Sequence, residues 1–540
     1  MSRSRLACLA LVIIGLIAGC QKQSDVVRGA RDKVLTMSLS DDAATLDPAL
    51  ATSSYTNKIL QALFEGLVSI SNDGKTILPG VAEKWEISND GKSYTFHLRS
   101  NARWSNGDPI TARDFVFSFR RIFNPKLGSE TAASGFAIRG AEDAITGRNL
   151  DTSNIGVAAP DDSTFVITLA HPAAYFLEAL VQAPFYPVQE KVVTQFHGME
   201  QRGSAWTRPE NMISNGPFKL KTWIGNQLIE VVKNEQYWDA EHVSLKAIRF
   251  LPIEDELSEE HAFRAGQVHI TSKFPPDKAA NYLAEHPGEL HLPAFLRSDY
   301  ITFNVHRAPF DNPLVRRAFS LAIDRDRLIS AVLKNVAGPT HSLTRDGAGG
   351  YHPPQSSACR FDPAEAKRLL AQAGYNDVNK LPHIEFMLNG PQGYTLKIGE
   401  VLQEMWAQNL GIHVAVLPVE FKIYLDSLRT KQFQVLLDDW IYSWDDALDP
   451  LQLASTGNPN NDAGYSNPQY DRIFRDAETS SDRAQREHDF DEMENIVAQE
   501  VPYAPLFARL NDHLVHPLVV GWDDNLVDVT NWKQISLREP

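Results

Sequence analysis

The chain has 540 residues, far more than one hydrophobic core usually supports, so two or more lobes are expected. Its formal net charge is −16, and this acidity argues against nucleic acid, whose phosphates reward basic patches. It also argues against docking of a charged face on anionic lipid headgroups.

The N-terminus has the layout of a bacterial secretory signal. Arg3 and Arg5 form a short basic start, and the apolar stretch 6–18 that follows is too short to span a bilayer as a helix. We therefore expect residues 1–19 to be a signal peptide that is removed on export.

Cys20 follows Ile17-Ala18-Gly19, and a cysteine at this place resembles the acylated residue of a bacterial lipobox. The prediction is a lipoprotein whose lipidated Cys20 anchors the body outside a membrane through a polar tether, residues 20–33. An ordinary signal peptide cleaved elsewhere is the alternative. If Cys8 leaves with the signal peptide and Cys20 is lipidated, Cys359 is the one cysteine left with a free thiol. No disulfide can then form within the mature body.

The body begins at Val34, and its first part contains two hairpin signals. The run Ser-Asn-Asp-Gly-Lys occurs at 71–75 and again at 88–92, each time between runs rich in strand formers. Asp-Gly between such runs favours a tight turn. The second copy leads into residues 93–98, whose alternation is typical of a half-buried strand.

Three helices are predicted from their caps. Thr111 and Asp114 would cap the first, Asn312-Pro313 would start the second, and Asp362-Pro363 would start the third, which Gly374 would end. The apolar stripes expected to face the core are Phe115, Phe119 and Ile122 in the first helix, Val315, Phe319 and Ala322 in the second, and Leu369, Leu370 and Ala373 in the third.

The remaining body alternates strands with helices. Strand-like runs recur at 248–253, 300–305, 383–388 and 412–418, and strands mixed with helices over this length indicate α/β lobes. In the second predicted helix, the pair Arg316-Arg317 is expected to face outward.

No familiar catalytic motif is found. The chain has no His-Glu-x-x-His, no Gly-x-Ser-x-Gly, no glycine-rich dinucleotide turn and no Cys-x-x-Cys pair. The histidines at 341, 352, 383 and 413 lack metal-ligand spacing. We therefore predict neither an enzyme nor a metal site nor a cofactor.

One region combines aromatic and acidic residues. A buried-type strand, 433–437, runs directly into a stretch, 438–450, in which Trp440, Tyr442 and Trp444 are flanked on both sides by aspartates. Aromatic faces beside a few carboxylates are typical of a small-molecule cleft, and a carboxylate there would suit an ammonium group. A core strand that ends in a solvated loop is the alternative.

Short segments spread along the chain together resemble solute-binding protein family 5, the peptide-binding lipoproteins that feed ABC importers. They keep the family's order from about residue 34 to the C-terminus, and this shared order is specific although each segment alone is weak. The segments are Thr45-Leu46-Asp47-Pro48, 79–85, 102–107, Asp114-Phe115-Val116, 214–220, Tyr237-Trp238-Asp239, 322–325 and Asp449-Pro450.

The resemblance implies an α/β fold of two lobes that close like a clamp, with an additional N-terminal subdomain. Lobe I would comprise residues 34–64, 186–299 and 506–540, the subdomain 65–185, and lobe II 300–505. The ligand would be engulfed between the lobes without hydrolysis, and its backbone would pair with protein strands.

The resemblance also implies ligand-binding residues. In peptide-binding relatives an aspartate near the Asp449-Pro450 turn holds the peptide ammonium. Counting back from Pro450 places Asp446 there, whereas counting forward from Trp440 places Ser443 there. Asp446 is favoured, with Asp445 second, because Ser443 cannot supply a charge. Further residues expected at the cleft are Trp406, Trp440, Tyr442, Arg429 and the segment Thr52 to Ser54.

The sequence departs from the family where relatives receive the ligand carboxylate. Two basic positions are occupied here by Leu437 and Tyr394, and Arg429 lies one place from another. The cleft disulfide of some relatives cannot form. These departures leave the length and even the identity of a peptide ligand open.

The predicted function is that of a monomeric binding lipoprotein in the periplasm or cell envelope. It would deliver oligopeptides to the permease subunits of an ABC importer. A non-peptide solute such as a metal chelate or a sugar, or a cell-wall peptide, is the alternative on the same fold. An envelope hydrolase or a structural lipoprotein is the rival from another class.

Overall fold

The computed structural model describes residues 24–334, 336–355, 359–390, 393–480 and 482–540. The predicted signal peptide and Cys20 lie outside these residues. The prediction of a tether over 20–33 is wrong for its second half: Asp25–Asp32 is a helix in which Val26 and Ala30 are completely buried, because they pack against lobe I. In the described ranges, no helix combines the length and the apolar character needed to cross a bilayer.

The described residues form mixed helices and sheets, so the α/β class is confirmed. The strands are β1 (Val34–Leu39), β2 (Val68–Ile70), β3 (Ile77–Pro79), β4 (Ala82–Ile87), β5 (Ser93–Leu98), β6 (Val157–Ala158), β7 (Thr164–Thr168), β8 (Phe218–Ile224), β9 (Leu228–Lys233), β10 (Ala247–Pro252), β11 (Leu290–His291), β12 (Arg297–Phe303), β13 (Ala337–Pro339), β14 (Glu385–Asn389), β15 (Ala415–Val419), β16 (Val435–Ile441), β17 (Tyr503–Arg509), β18 (His513–Leu514), β19 (Val519–Val520) and β20 (Ser536–Leu537).

The α-helices of the described ranges surround these sheets. They are Asp25–Asp32, Ser54–Leu63, Ala112–Ile122, Ala141–Ile145, Phe176–Ala179, Glu190–Gln195, Glu256–Arg264, Ala279–Glu285, Pro313–Leu321, Arg325–Leu328, Pro363–Gln372, Gly393–Leu410, Phe421–Thr430, Leu448–Leu451, Pro468–Thr479 and Arg483–Glu500.

Lobe I is built on a sheet of order β1-β10-β9-β8, in which β1 and β10 are parallel and the other neighbours are antiparallel. Its apolar strands bury Leu35, Val231 and Phe250 completely. The ring of Trp532 meets Phe250 edge-on, with centroids 5.6 Å apart. The C-terminal segment therefore returns to this lobe.

The subdomain has its own antiparallel sheet, of order β4-β5-β7-β6. Strand β5 alternates as predicted, with Tyr94, Phe96 and Leu98 buried. The predicted helix is present as Ala112–Ile122, and its capping box between Thr111 and Asp114 is formed.

Both Ser-Asn-Asp-Gly-Lys runs form the predicted turns, one between β2 and β3 and the other between β4 and β5. Gly74 and Gly91 have φ values of +71° and +67°. A glycine accepts this left-handed conformation without steric cost, which explains its place in each run.

Lobe II is built on a six-stranded sheet of order β13-β17-β12-β16-β14-β15. The chain enters this sheet through β12 and leaves it through β17, and these two strands are antiparallel neighbours. Just outside the sheet, β11 pairs with β18. Both connections between the lobes therefore run side by side.

The three sheets lie in the segments expected for the two lobes and the subdomain, with one difference at the crossings. Strand β12 begins at Arg297 and β17 extends to Arg509, so both reach beyond the range 300–505. The lobe boundaries themselves stay a prediction. The predicted runs at 248–253, 300–305, 383–388 and 412–418 correspond to β10, β12, β14 and β15.

The predicted helix starts in lobe II are confirmed. The Asn312 side chain accepts a hydrogen bond from the N–H of Leu314, and Asp362 accepts one from Glu365. Gly374 follows the third helix with a φ of +94°.

The prediction that Arg316 faces outward is wrong. Its guanidinium is buried and donates hydrogen bonds to the backbone carbonyls of Phe310, Glu500 and Val501. The last carbonyls of the helix Arg483–Glu500 have no partner within that helix, and a buried cation can satisfy them.

Candidate ligand-binding cleft

Two cavities lie where the lobes and the subdomain meet. The larger has a volume of about 280 Å³ and is lined by the β2–β3 turn, Glu178, Trp444, Asp445 and residues 524–527. The smaller has a volume of about 120 Å³, and its lining includes Ser54, Lys58, Arg297, Ile441 and residues 509–513. Chain from both lobes lines each cavity, so the two cavities mark the cleft.

The loop after β16 is organised by Asp449, which is completely buried. Its carboxylate accepts hydrogen bonds from the Ser443 backbone N–H, from Trp440 Nε1 at 3.3 Å and from Gln452 Nε2 at 2.7 Å. Burial raises the pKa of Asp449 to about 7, and these hydrogen bonds oppose the rise. Sequence reasoning used Asp449 only as a landmark, although an Asp-Pro pair after a strand is a usable signal for a loop organiser.

Trp444 connects this loop to the subdomain through an aromatic contact. Its ring stacks on Tyr175 with centroids 4.7 Å apart and an interplanar angle of 12°, and both rings are buried. Such a pair adds to the area it buries. The stack therefore holds lobe II against the subdomain.

Asp446, the favoured partner for a ligand ammonium, already has a cationic partner within the chain. Both of its carboxylate oxygens accept hydrogen bonds from Arg486 Nη2, at 2.9 and 2.7 Å, and Oδ1 also accepts from the Leu448 N–H. The pair is largely buried. A second cation at Asp446 would therefore compete with Arg486.

Asp445 faces the larger cavity together with Glu178 of the subdomain. Oδ1 of Asp445 accepts a hydrogen bond from the Gly349 N–H at 2.7 Å. Burial raises the pKa of Asp445, and the nearby charge of Asp446 adds to the rise. Burial also raises the pKa of Glu178 to about 7, with the charges of Asp445 and Asp446 as further causes.

The other predicted residues of the 440–443 stretch contribute mainly to the walls. Trp440 is half-buried, and its indole N–H donates a hydrogen bond to Asp449. Tyr442 is buried, with its hydroxyl 2.9 Å from Ser298 Oγ and 2.7 Å from the backbone nitrogen of Arg345. The backbone N–H of Ser443 is used by Asp449.

Three predicted positions lie elsewhere. Trp406 is completely buried in the core of lobe II and donates to the Phe319 carbonyl, so the structure does not bring it to the cleft. Arg429 is exposed and pairs with Asp426 on its own helix, because the two are one helical turn apart. Thr52 is exposed and lines neither cavity, whereas Ser54 lines the smaller one.

The smaller cavity is lined by charged residues that are paired with each other. Arg297 lies 2.7 Å from Asp299 and 3.2 Å from Asp439. Lys58 and Asp528 form a second pair at 2.7 Å. Sequence reasoning missed these residues, because Asp439 and Asp528, the partners of Arg297 and Lys58, come from distant parts of the chain.

Two arginines are candidates for receiving a ligand carboxylate. Arg509 donates to the hydroxyl of Tyr394, and its guanidinium lies 4.3 Å from the centre of that ring. Arg345 has a buried Nη1 without a hydrogen-bond partner among the described residues. A buried guanidinium nitrogen without an acceptor is suited to an incoming carboxylate.

Comparison with protein families gives one match over most of the chain. A model described as "Bacterial extracellular solute-binding proteins, family 5 Middle" matches residues 76–462.

Curated relatives align along nearly the whole chain. The periplasmic murein peptide-binding protein MppA of Escherichia coli K12 is 32% identical over 526 residues, covering 96% of each chain. The periplasmic oligopeptide-binding protein OppA of Salmonella typhimurium is 32% identical over 519 residues, covering 94% of this chain and 93% of the relative. The probable deoxycholate-binding periplasmic protein YgiS of E. coli K12 is 32% identical over 506 residues, covering 91% of each.

Solved structures distinguish the arrangement of the lobes. A structure of E. coli MppA matches with a TM-score of 0.87 and 32% identity, covering 93% of this chain and 98% of that one. Haemophilus influenzae OppA in complex with the peptide RPPGFSPFR matches with a TM-score of 0.85 and 29% identity, covering 95% and 100%. The unliganded open form of MppA matches with a TM-score of only 0.70 at 32% identity, covering 94% of this chain and 98% of that one. The lobes are therefore arranged more like those of the peptide complex than like those of the open form.

Proposed function

The chain belongs to family 5 of the bacterial extracellular solute-binding proteins, and we propose that it binds peptides outside the cytoplasm and delivers them to an ABC importer. Relatives named for oligopeptides and for a murein peptide support this assignment. The observation that carries it is the arrangement of the lobes, which resembles a peptide complex and surrounds an acidic cavity of about 280 Å³. The peptide leaves unchanged, because members of this family bind solutes.

The peptide ammonium is held by Asp445 and Glu178. Both carboxyl groups line the larger cavity, one from each side of the cleft. Asp446 is less suited to this role, because Arg486 already neutralises it. An ammonium group between two carboxyls gains charge-assisted hydrogen bonds, and it offsets both the burial of Glu178 and the repulsion from Asp445 and Asp446 that together raise the pKa of Glu178.

The peptide carboxylate is received by arginines that lie outside the positions used in relatives. Arg345 supports this part of the proposal, because its buried Nη1 has no acceptor within the described chain. Arg509, which contacts Tyr394, is the second candidate.

A solute other than an ordinary oligopeptide is the second candidate function. Leu437 and Tyr394 occupy two positions at which peptide-binding relatives are basic, and YgiS is as similar to this chain as the peptide-binding relatives are. A cell-wall peptide or an amphipathic acid would need fewer or differently placed cations.

Calorimetric titration tests the ammonium site. A short peptide and its N-acetylated form are each titrated into the wild type and into Asp445→Asn. Loss of one partner of a desolvated charge pair costs about 2–5 kcal/mol. Either change alone should therefore weaken binding by roughly 30-fold or more.

The combination should cost little more than either change alone, because both changes remove the same interaction. Asp426→Asn, at an exposed carboxylate of lobe II, is the matched control and should bind like the wild type. If acetylation weakens binding to Asp445→Asn as much as binding to the wild type, Asp445 does not hold the ammonium.

The lipid anchor is part of the proposal and rests on the Ile17-Ala18-Gly19-Cys20 run. Cys20→Ser should release the protein from membranes, because the acyl chains are its only attachment in this account. Membrane fractionation checks this, and a variant that stays as membrane-bound as the wild type would exclude the lipobox interpretation.

A further inference from the structure

Two histidines and one aspartate meet in the wall between the two cavities. His291 in β11 and His513 in β18 are direct partners of an antiparallel pair, so their side chains leave the strands on the same side. Their rings stack with centroids 5.4 Å apart. Asp524 reaches both rings, with carboxylate oxygens 2.8 Å from His291 Nδ1 and 3.4 Å from His513 Nε2.

The hydrogen bonds of His513 show which of its ring nitrogens carries the proton. Nδ1 lies 2.8 Å from the Asn511 carbonyl, to which it can only donate, and Nε2 lies 3.0 Å from the indole nitrogen of Trp522, from which it can only accept. Nε2 therefore carries a lone pair, and a carboxylate oxygen of Asp524 lies beside it. Two electron-rich atoms that face each other repel, and a cation between them would remove the repulsion.

We propose that His291 Nδ1, His513 Nε2 and a carboxylate oxygen of Asp524 bind one divalent transition-metal ion, with zinc as the best match to this donor set. One donor atom from each residue lies within 4.8 Å of the other two. Zinc bonds of about 2.0–2.2 Å at tetrahedral angles need donors about 3.3–3.5 Å apart, so small side-chain movements suffice.

The surroundings of the cluster favour a metal ligand set. A backbone carbonyl fixes the second nitrogen of His513, which is the usual support for a ligating imidazole. Binding requires the Trp522 N–H to turn from Nε2 to another acceptor. Asp524 and His291 are partly exposed, so an ion can enter and its fourth position can hold water or a ligand atom.

A bound ion would fix a wall of the ligand cleft. The segment that carries Asp524 also lines the larger cavity, and its Leu526 carbonyl accepts a hydrogen bond from Leu296, next to β12. Joining this segment to β11 and β18 would stiffen the cavity near the lobe crossing. The site does not depend on peptide binding, so it can be tested by itself.

The chain offers a matched control. Asp239, Glu241 and His242 also bring donor atoms within 4.8 Å of one another, but Glu241 and His242 are exposed and Asp239 already pairs with Lys533 at 3.1 Å. This second group therefore also offers histidine and carboxylate donors, but it lacks the partly buried surroundings of the His291, His513 and Asp524 group.

The test is a titration of tag-free, chelator-treated and dialysed protein with zinc chloride. We expect one ion per chain, with Asp524→Asn and His291→Asn each weakening binding by roughly tenfold or more. His242→Asn should bind zinc like the wild type. Cobalt chloride should give the intense visible absorption of a four-coordinate ion with wild type, and this band should be lost in both site variants.

The proposal is overturned if the wild type takes up no stoichiometric zinc at roughly millimolar concentration, a level far above that of specific sites. It is equally overturned if Asp524→Asn binds as well as the wild type, or if only His242→Asn loses the ion. Circular dichroism of each variant confirms that lost binding does not come from unfolding.

Discussion

At the scale of single residues, three aspartates of the segment that follows β16 differ because their surroundings differ. Asp449 is enclosed by N–H donors, Asp446 is neutralised by Arg486, and Asp445 faces a cavity with one hydrogen bond. Arg486 lies 40 positions from Asp446 in the sequence. Counting along the chain therefore could not separate the structural carboxylates from the available one.

The buried pair of Asp446 and Arg486 should be important for stability. Asp446→Ala leaves the guanidinium buried without its partner, so the free energy of unfolding should fall by about 3–5 kcal/mol. Urea unfolding measures this loss.

The control for that prediction lies on the same helix. Arg483 and Glu487 form a pair at 2.7 Å that is largely exposed, and Glu487→Ala should cost less than about 1 kcal/mol. Equal losses in the two variants would mean that burial does not strengthen the Asp446 pair.

Glu178 should make closure of the cleft depend on pH. In the closed arrangement its pKa is raised to about 7, first by burial and then by Asp445 and Asp446, whereas an open cleft returns it toward 4.5. Closure therefore takes up a proton. Its stabilisation is present below the open-state pKa and is lost as pH rises through 7.

An N-acetylated peptide, which has no ammonium to offset the carboxylates, should reveal this effect. Its affinity should fall roughly threefold to tenfold between about pH 5 and 8, a range that allows for solvent screening. The other charged groups at the cavity, Asp73, Lys75, Asp445 and Asp524, remain in the variant Glu178→Gln. Calorimetry should find the pH dependence reduced in that variant, and an unchanged profile would assign it to another group.

At the scale of elements, the segment Ser214-Asn215-Gly216-Pro217 shows what one short motif does in the fold. The Asn215 side chain bonds both backbone groups of Glu65, donating to its carbonyl at 2.8 Å and accepting from its N–H at 3.1 Å. The Gly216 N–H donates to the Leu63 carbonyl at 2.8 Å. The motif thus fastens the start of β8 to the end of the helix Ser54–Leu63.

Gly216→Ala should therefore destabilise lobe I. A Cβ at this position would lie 2.6 Å from the backbone of Leu63 and Phe64, which cannot move as a side chain can. We expect a loss of roughly 1–3 kcal/mol in the free energy of unfolding. Gly338→Ala in the edge strand β13, where a Cβ meets nothing within 4 Å, is the control. Similar melting temperatures for the two variants would contradict the argument.

Local signals in the sequence predicted the elements well, and long-range partners explain the failures. The caps at Thr111 and Asp362 and the turns at Gly74 and Gly91 depend on neighbours a few residues away. The sequence predicts Trp406 at the cleft, but its side chain fills the core of lobe II, since an aromatic side chain suits either place. The contact of Asp524 with His291 could not be predicted from local sequence patterns, because 233 positions separate the two residues.

At the scale of the whole molecule, the contacts between lobe II and the subdomain hold the closed arrangement. Trp444 stacks on Tyr175, and His171 of the subdomain lies 3.8 Å from Glu478 of lobe II. The TM-score falls from 0.87 to 0.70 between two structures of the same relative, so the difference lies in the lobes and not in the fold. A clamp of this kind closes because its ligand binds the closed state better.

The measurement that tests the central claim most directly is native mass spectrometry of the protein after incubation with a defined mixture of peptides. The account predicts one intact peptide retained per protein chain, released with unchanged mass when the protein is unfolded. If N-acetylated peptides are retained less than the same peptides with a free ammonium group, the ammonium site is supported. A protein that retains no peptide, or that converts the mixture into shorter fragments, would contradict the account.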